Sequence, residues 1–554
     1  MPLIDPERSP QLPAEHEYLT KLAAGSVEGS GCVVIGDGTL PSVDADERRI
    51  RSTFILALLT NRVRGVQIGN LGLMIAGALI VEELDLRRVS TLPPIGLFAC
   101  RLVESVVMVG CRARSLVIDS SDVREIIADR ADIDGPAFFK HSTCRGELRF
   151  AGCRISGDLN LCNSNYMHEL AIQADSCRVD GNVFLSGAVV NGRASFLGAS
   201  VAGSLHLDDI SLRPPRGRLY ADRVNVHGSL FLRSATIGAD VRIVAARIGS
   251  NLELSGSRIA EGSTIAVTGA TIDRDLVMRD VQFGGTLILS GVDVRGVISD
   301  TPNAWPEKGG LFLDSFTYRS FGLTSPNTAR QRLPWLDRQL PFAPDSYEQL
   351  AITLRRMGKD SDAKEVLFEK ELRRRSHERA RANAWKRLHL AVSDAVFRYT
   401  IGFGLRPFRA AIWLIVLWLV GAATFSVAYR SGGFKPNAAN TLRSDDWVLS
   451  GVDDHVLVPS RRDVGRRSDE HQTQLEVFLG HPGAASYPAF SALVYSLDAL
   501  VPLVDLELQD YWIPDENVGR AGFVARCYLW VHILFGWALS LLAVAGFSGL
   551  VRSD

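Results

Sequence analysis

The sequence predicts a mainly β protein: a pentapeptide-like parallel β-solenoid with a helical N-terminal cap, followed by a helical linker and two transmembrane α-helices. Two observations carry this prediction. An L-x-L-like pair preceded by glycine recurs along the first half of the chain, and two long apolar segments lie near the C-terminus. The predicted segments are the cap (1–65), the solenoid (66–315), the linker with basic juxtamembrane helices (316–400), the first transmembrane helix (401–430), an extracytoplasmic loop (431–520) with a short apolar helix (485–505), and the second transmembrane helix with its tail (521–554).

The first apolar residue of each pair defines the repeat and recurs at a step of eleven within four runs, which begin at Leu148, Val183, Leu230 and Ile265. An insertion containing Arg213–Arg218 precedes the third run, and a two-residue slip at Glu261–Ser263 precedes the fourth. Alternating apolar positions are typical of short strands, and frequent glycine and β-branched residues argue against a helix of eleven-residue period. Two units are expected to form one coil of about 22 residues, giving roughly ten coils. The anchor residues are Leu148, Leu159, Val183, Ala194, Leu205, Leu230, Val241, Leu252, Ile265, Leu276, Leu287 and Ile298.

The N-terminal end of the repeat needs a cover, because an open coil exposes unpaired strand edges. The stretch DADERRIRSTFILALLTNR predicts a helix capped by Asp44 or Asp46, with Ile50, Phe54 and Leu58 on one face. We expect this helix to close the first coil.

Helices are also predicted beyond the repeat. SYEQLAITLRRMG indicates a helix that ends at Gly358, and DSDAKEVLFEKELRRR begins a longer one at an Asp or Ser cap. The basic part of this linker is expected to contact anionic lipid headgroups, with a solvated basic face as the alternative. The residues concerned are Arg373, Arg374, Arg375, Arg379, Arg381, Lys386 and Arg387.

Composition argues against several classes of protein. The chain has 61 Lys and Arg residues and 62 Asp and Glu residues, so it has no excess of positive charge that would attract nucleic acid. The N-terminal sequence MPLIDPERSPQLPAEHEYL lacks a secretory signal pattern, which predicts a cytoplasmic N-terminal body. The eight cysteines include no C-x-x-C pair, and we expect those of the repeat to be small apolar residues that hold no metal.

Two segments are predicted to span the plasma or inner membrane, Phe408–Tyr429 and Tyr528–Val551, because each is long, apolar and free of Asp, Glu and Lys. Basic residues precede the first span, so both termini are predicted to be cytoplasmic. Another basic cluster, Arg461–Arg467, lies in the outer loop but far from the membrane ends. His532 in the second span is expected to serve helix packing.

Between the spans, SYPAFSALVYSLDALVPLVDLELQDYW is apolar over only about fifteen residues and is interrupted by Asp498 and Pro502. It suits a re-entrant or interfacial helix. We favour a helix lying flat at the interface with Asp498 facing solvent. The alternative is a pore-like element with Asp498 or Asp505 near its mouth, although VPLVDLELQ has no glycine-rich filter of the potassium-channel type.

Several blocks of sequence carry a resemblance: IRSTFILALL, the G-x-L-x-L repeats, SYEQLAITLRRMGKDSDAKEVLFEKELRRR, YTIGFGLRPFRAAIWL, YSLDALVPLVDL and FGWALSLLAVAGFSGLV. In these, over nearly its whole length, the chain resembles a bacterial family, common in actinobacteria, whose members are often labelled membrane-associated oxidoreductases. It departs at VDLELQ, where a glycine-containing sequence is expected. The resemblance implies no catalytic residue that could be assigned to a numbered position here.

The residues themselves give that oxidoreductase label no support. The nearest approach to G-x-G-x-x-G, EGSGCVVIGDG, has Val34 at the third glycine position and no following helix pattern. Walker A, H-E-x-x-H and G-x-S-x-G sequences are absent, and no cofactor is predicted. We favour a membrane-anchored scaffold that binds a protein partner, ahead of a homo-oligomeric channel-like or sensor protein and, third, an enzyme.

Overall fold

The computed structural model describes residues 12–23, 32–66, 68, 72–87, 89, 91–383, 385–387, 390–391, 408–451 and 474–547. The chain divides into two compact units, Met1–Lys370 and Glu371–Asp554. The first contains the solenoid and its caps. The second contains two long apolar helices and the segment between them.

A parallel β-solenoid of about 11 turns occupies residues 73–321, which confirms the predicted fold class. One turn contributes four short strands, for example Leu116–Asp119, Asp122–Val123, Ile126–Ile127 and Asp132–Ile133. The turn therefore has four sides, which we number 1 to 4 in this order. Sides 2 and 3 each form an 11-stranded parallel sheet, and sides 1 and 4 share a 21-stranded sheet because strand Asp293–Asp300 belongs to both.

The register confirms that two eleven-residue units make one coil. Val183 pairs with Leu205 on side 1, and Ile126 pairs with Leu148 on side 3, each 22 residues apart. The predicted anchor residues all lie on sides 1 and 3. The insertion at 213–218 lengthens one coil, so that Leu205 pairs with Leu230, and the slip at 261–263 lengthens another.

Two inward positions on side 3, Ile172 and Leu219, escaped the sequence pattern. Ile172 lies on side 3 and pairs with Leu148 before it and Ala194 after it. It follows Leu148 by 24 residues because extra residues precede it in the stretch Met167–Leu170, and this breaks the eleven-residue step. Its burial, like that of Leu148, shows that the core continues through the irregular coil.

The strands can be given side by side. Side 1 comprises Val33–Val34, Leu73–Ala76, Ile95–Phe98, Leu116–Asp119, Ala137–Lys140, Leu159–Asn160, Val183–Phe184, Leu205–His206, Leu230–Phe231, Leu252–Glu253, Leu276–Met278 and Asp293–Asp300. Side 2 comprises Arg49–Ile50, Leu79–Ile80, Arg101–Leu102, Asp122–Val123, Thr143–Cys144, Asn165–Tyr166, Val189–Val190, Ser211–Leu212, Thr236–Ile237, Arg258–Ile259 and Gln282–Phe283. Side 3 comprises Leu84–Asp85, Val106–Val107, Ile126–Ile127, Leu148–Arg149, Ile172–Gln173, Arg193–Ser195, Arg218–Tyr220, Val241–Arg242, Thr264–Ala266, Thr286–Ile288 and Leu311–Phe312. Side 4 comprises Arg112–Ala113, Asp132–Ile133, Arg154–Ile155, Arg178–Val179, Ser200–Val201, Asn225–Val226, Arg247–Ile248, Thr271–Ile272 and Thr317–Phe321, with part of Asp293–Asp300.

Glycine serves two separate purposes in the solenoid. The glycine before an L-x-L pair allows close stacking: a Cβ added to Gly157 would lie 2.8 Å from the backbone nitrogen of Pro136 in the preceding coil. The corner after side 1 instead needs a left-handed backbone, which Gly187 adopts at a φ of 68°. Asn163 and Asp209 occupy the same corner in neighbouring coils, since Asn and Asp tolerate this conformation.

The core is one continuous column of inward apolar side chains. The predicted stacking of cysteines inside the repeat is confirmed for Cys100, Cys111, Cys144 and Cys153, which are buried, whereas Cys162 is half-buried. Burial raises the pKa of the Cys100 and Cys144 thiols to about 12. These groups are therefore packed as neutral thiols, without the thiolate character of a nucleophile.

The N-terminal cap differs from its prediction. Helix α1 spans Pro13–Ala23, and helix α2 spans Ser52–Leu59 after a short 3₁₀ turn at Asp46–Arg48. The predicted caps Asp44 and Asp46 are wrong, because α2 begins at Ser52, whose backbone N–H and hydroxyl both donate to Glu82. Ile50 lies on a strand that pairs with Leu79–Ile80, which extends side 2 by one strand.

Three helices follow the last coil: α3 (Ala329–Leu336), α4 (Pro344–Arg356) and α5 (Asp360–Arg381). Helix α4 ends before Gly358, which has a φ of 76°, as the sequence predicts. Arg332 of α3 forms a bidentate ion pair with Asp300 of the last side 1 strand. The solenoid is thus closed by helical packing and by a buried ion pair.

The second unit contains helices α6 (Phe408–Arg430), α7 (Ala439–Leu442), α8 (Asp445–Ser450), α9 (Gln474–Leu479), α10 (Ala492–Leu500), α11 (Leu508–Tyr511) and α12 (Gly519–Phe547). A 3₁₀ turn lies at Pro482–Ser486, and strands Phe434–Pro436 and Trp512–Pro514 pair antiparallel. Among the described residues, α6 and α12 are the two helices long and apolar enough to cross a membrane. The predicted loop cluster at 461–467 lies outside the described residues.

Candidate functional site

Helix α10 lies against both long apolar helices near their midpoints. The hydroxyl of Ser496 donates to the Trp418 carbonyl of α6 at 2.8 Å, and the same residue contacts His532 of α12. The indole N–H of Trp418 donates in turn to the Leu493 carbonyl at 2.8 Å. These bonds fix the short helix at mid-length of its two neighbours.

The His532 ring lies in a buried polar network between α10 and α12, in keeping with the packing role expected from the sequence. Its Nε2 is 3.1 Å from the Ser496 carbonyl, and its Nδ1 is 3.2 Å from the Tyr528 hydroxyl. A ring protonated on Nε2 satisfies all of these groups, because it donates to the carbonyl and accepts from the tyrosine. Such a network is stable in apolar surroundings because its partners are complete.

Two glycines allow this close packing. A Cβ added to Gly421 of α6 would lie 2.3 Å from the Ser496 hydroxyl oxygen and 2.6 Å from His532. A Cβ added to Gly536 of α12 would lie 1.9 Å from the Leu500 carbonyl oxygen. Any larger residue at either position would push α10 out of its place.

The flat arrangement predicts that Asp498 faces solvent, but the side chain faces neither solvent nor open space. Its residue is 6% exposed, and its two carboxylate oxygens accept backbone N–H groups from Leu506 at 2.8 Å and Gln509 at 2.9 Å. The side chain therefore holds the returning chain against α10. The expectation that Asp498 points to solvent is wrong, because the chain after Pro502 turns back onto the helix.

Asp505 is exposed on this returning chain. Its Oδ1 accepts the backbone N–H of Glu507 at 3.1 Å, and Glu507 is also exposed, with a left-handed φ of 59°. We call residues 501–507 the return limb. Of the two predicted pore-like residues, Asp505 lies on the surface of the return limb. Asp498 lies beneath the limb and accepts the backbone N–H groups of Leu506 and Gln509.

The predicted lipid-contact residues are distributed along and beyond α5. Arg374 pairs with Glu371 at 2.8 Å and with Glu378 at 3.1 Å, and Arg375 approaches Glu371 at 3.8 Å. Arg373 and Arg379 lie on the same helix, Lys386 and Arg387 are exposed beyond it, and the side chain of Arg381 lies outside the described residues. Intrahelical ion pairs reduce the charge available for headgroups, and lipid contact stays a prediction.

An aromatic ladder on side 1 was missed by the sequence reading. The rings of Phe184, His206 and Phe231 stack on consecutive coils, with centroids 4.7 and 4.9 Å apart. Arg233 lies 4.5 Å above the Phe231 ring and forms a bidentate pair with Asp208 at 2.8 and 3.0 Å. The segments GNVFL, GSLHL and GSLFL already indicate this ladder. In each of them an aromatic residue stands between the two inward apolar positions, and alternation along a strand makes it point outward.

The solenoid also carries an open cleft of about 510 Å³ beside Arg101, Asp122 and Arg145. Its charged groups satisfy one another, because both arginines bind the Asp122 carboxylate, at 3.2 and 2.7 Å. Within the described part of the chain, no group of three or more His, Cys, Asp or Glu side chains is arranged to hold a metal ion. The cleft is accordingly assigned no ligand.

Comparison of the chain with protein-family models, with curated proteins and with solved structures finds no match.

Proposed function

We propose that this protein is a membrane-anchored scaffold whose β-solenoid presents a regular face to a protein partner in the cytoplasm. The observation that carries the proposal is the outward apolar surface of α6 and α12. Only 22% of the most apolar window of each helix is buried within the protein. A core helix of a soluble protein would be largely buried, whereas lipid-facing helices expose apolar side chains.

The exposed apolar side chains are large and numerous on both helices. Exposure of so much apolar surface to water is unfavourable, whereas the hydrocarbon of a bilayer would cover it favourably. They include Phe408, Ile412, Trp413, Ile415, Val416, Leu419, Val420 and Val427 of α6, and Phe523, Val524, Trp530, Val531, Leu534, Phe535, Trp537, Leu541 and Val544 of α12.

The solenoid supports the scaffold role through rigidity and repetition. Its backbone hydrogen bonds run from coil to coil, and its side chains form ladders at a spacing near 4.8 Å. The aromatic ladder, with Arg233 beside it, is the kind of half-buried aromatic and arginine surface that protein interfaces favour. It is the surface we propose for the partner.

Membrane fractionation tests the anchor. The full-length protein should stay in the membrane pellet after carbonate and high-salt washes, because two spans insert effectively irreversibly. A chain truncated before position 399 should appear in the soluble fraction. Retention of that truncated chain under high salt would contradict anchoring by α6 and α12.

A channel-like assembly is the second candidate, and one observation favours it. Helix α10 contacts both apolar helices near mid-length, as a re-entrant element does, and it does not lie beside their ends.

A further inference from the structure

The chain between the two apolar helices runs inward and returns to the level where it started. Phe490 stacks on Tyr429, near the C-terminal end of α6, with ring centroids 4.3 Å apart. Helix α10 then leads inward to Leu500. The chain comes back to strand Trp512–Pro514, which pairs with Phe434–Pro436 just beyond α6. Residues 488–514 therefore form a hairpin, which we call the membrane hairpin.

The depth of this hairpin follows from its contacts with α12. Gly522 lies against Gly433 at the open end of the hairpin, and Gly536 lies against the Leu500 carbonyl at its turn. These two glycines are fourteen residues apart on one helix, which corresponds to about 21 Å along its axis. Since a hydrocarbon core is about 30 Å thick, spanning helices would place the turn deep inside the bilayer.

The surface exposed near this turn is unsuited to lipid. The return limb has no regular secondary structure, and the described residues leave it uncovered, as the 83% exposure of Leu503 shows. Asp505 and Glu507 expose carboxylates on the same limb. Irregular backbone occurs at membrane depth only where protein covers it or water meets it, and a carboxylate facing hydrocarbon costs about 3 kcal/mol or more.

We infer that the return limb lines a water-filled, cation-selective passage enclosed by several copies of this chain, with Asp505 and Glu507 on its wall. The described part of the chain leaves the limb uncovered, and further copies of the chain would complete the enclosure. Exposed carboxylates repeated around an axis attract small cations and repel anions. The inference rests on the proposed insertion of α6 and α12 in the membrane.

Two buried polar residues of the hairpin, Asp498 and Ser496, act as positioning residues. Asp498 holds the return limb through Leu506 and Gln509, and Ser496 holds α10 against α6 and α12. The passage wall is thus fixed to the two spans by hydrogen bonds, and Asp505 and Glu507 are exposed on it.

Ion flux from reconstituted vesicles tests the passage. Purified full-length protein in vesicles with a potassium chloride gradient should release K⁺ in preference to Cl⁻. The double variant Asp505→Asn, Glu507→Gln should lose most of this preference. The matched control Asp445→Asn, Glu516→Gln neutralises two exposed carboxylates elsewhere in the same unit and should keep it.

Cross-linking tests the enclosure by copies. In a Cys527→Ser background, Leu503→Cys should form links between chains across the passage, whereas Val427→Cys, exposed on α6, should not. The mass in detergent should correspond to several chains. A single-chain mass without Leu503→Cys links would overturn the inference.

Failure of the anchor and failure of the passage are distinguishable. Protein that survives a carbonate wash of the vesicles but conducts no K⁺ overturns the passage and leaves the anchor standing. If the carbonate wash removes the protein from the vesicles, both the anchor and the passage are overturned. The double variant and the wild type could both be retained in the vesicles and show the same preference for K⁺ over Cl⁻. That result would contradict the placement of Asp505 and Glu507 on the wall.

Discussion

Arg332 and Asp300 form a bidentate ion pair in which each guanidinium–carboxylate hydrogen bond is 2.8 Å long and both side chains are almost completely buried. The Arg332 guanidinium also lies 3.8 Å from the centre of the Phe321 ring, and Trp305 donates its indole N–H to Asp300 at 2.7 Å. This group of side chains joins helix α3 to the last coil. It is the point at which the repeat ends and helical structure begins.

Breaking that pair should loosen the C-terminal end of the solenoid. Arg332→Met leaves a buried, unpaired carboxylate, and we expect a loss of about 3–5 kcal/mol in unfolding free energy. Thermal unfolding of the full-length protein in detergent measures it. The control Arg319→Met removes an exposed arginine of the same coil. Adding Asp300→Leu to Arg332→Met should restore much of the loss, and a double variant no more stable than the single one would contradict this account.

Inward charges should destabilise the solenoid where outward ones do not. Leu252 and Leu276 are buried and stack on each other in register. Replacing either with Asp would bury a lone carboxylate at a cost of several kcal/mol, on the order of 4. Arg258→Asp, on an exposed strand position, should be nearly silent. Protease resistance measured over time should separate the variants, and equal resistance would rule out the register.

Asp498→Asn should disorder the return limb. The carboxylate accepts two backbone N–H groups, but an asparagine offers only one acceptor oxygen, so one N–H loses its partner at about 1–3 kcal/mol. Faster hydrogen exchange at residues 501–509 is the expected readout. Asp510→Asn, an exposed carboxylate close by, should leave exchange unchanged. Identical exchange in the two variants would deny Asp498 its positioning role.

The Asp208 carboxylate should make stability depend on pH. Partial burial acts to raise its pKa, but the hydrogen bonds and charge of Arg233 outweigh burial and hold the pKa below its ordinary value. A lowered pKa in the folded state gives stability that is present above the unfolded value of about 3.9 and is lost as pH falls through the folded pKa. Asp208→Asn should lower the melting temperature at pH 7 by an amount worth about 1 kcal/mol or less, since Arg233 is solvent-exposed. The difference in melting temperature between Asp208→Asn and the wild type should shrink below pH 4, which is about the unfolded pKa. A difference that stays constant with pH would contradict the ion-pair contribution.

Protease accessibility tests the predicted orientation. Tags at both termini should be protected in intact cells, because basic residues before the first span favour the cytoplasmic side. A tag near Gly451, between the two helices, should be cleaved from outside. Detergent-permeabilised cells provide the control in which every tag is cut, and a protected Gly451 tag in intact cells would reverse the topology.

Much of the fold was predictable from the sequence because a solenoid is built from local, repeated steps. The eleven-residue period determines which side chains point inward, and it anticipated both the 22-residue coil and the longer coils at 213–218 and 261–263. The end of α4 before Gly358 followed from the same local chemistry. Where two extra residues broke the step, as before Ile172, the pattern lost its register.

The sequence by itself therefore determined the coils, most of their inward residues and the two apolar helices, since each depends on neighbours a few residues to one coil away. Only the tertiary structure decided the positions of Asp498, Arg332 and Ser496, because their partners are distant in sequence or lie beyond a turn. A carboxylate in an apolar run can face water, a pore or backbone N–H groups, and composition is the same in all three cases. The return of the chain onto α10 supplied those N–H groups and settled the choice.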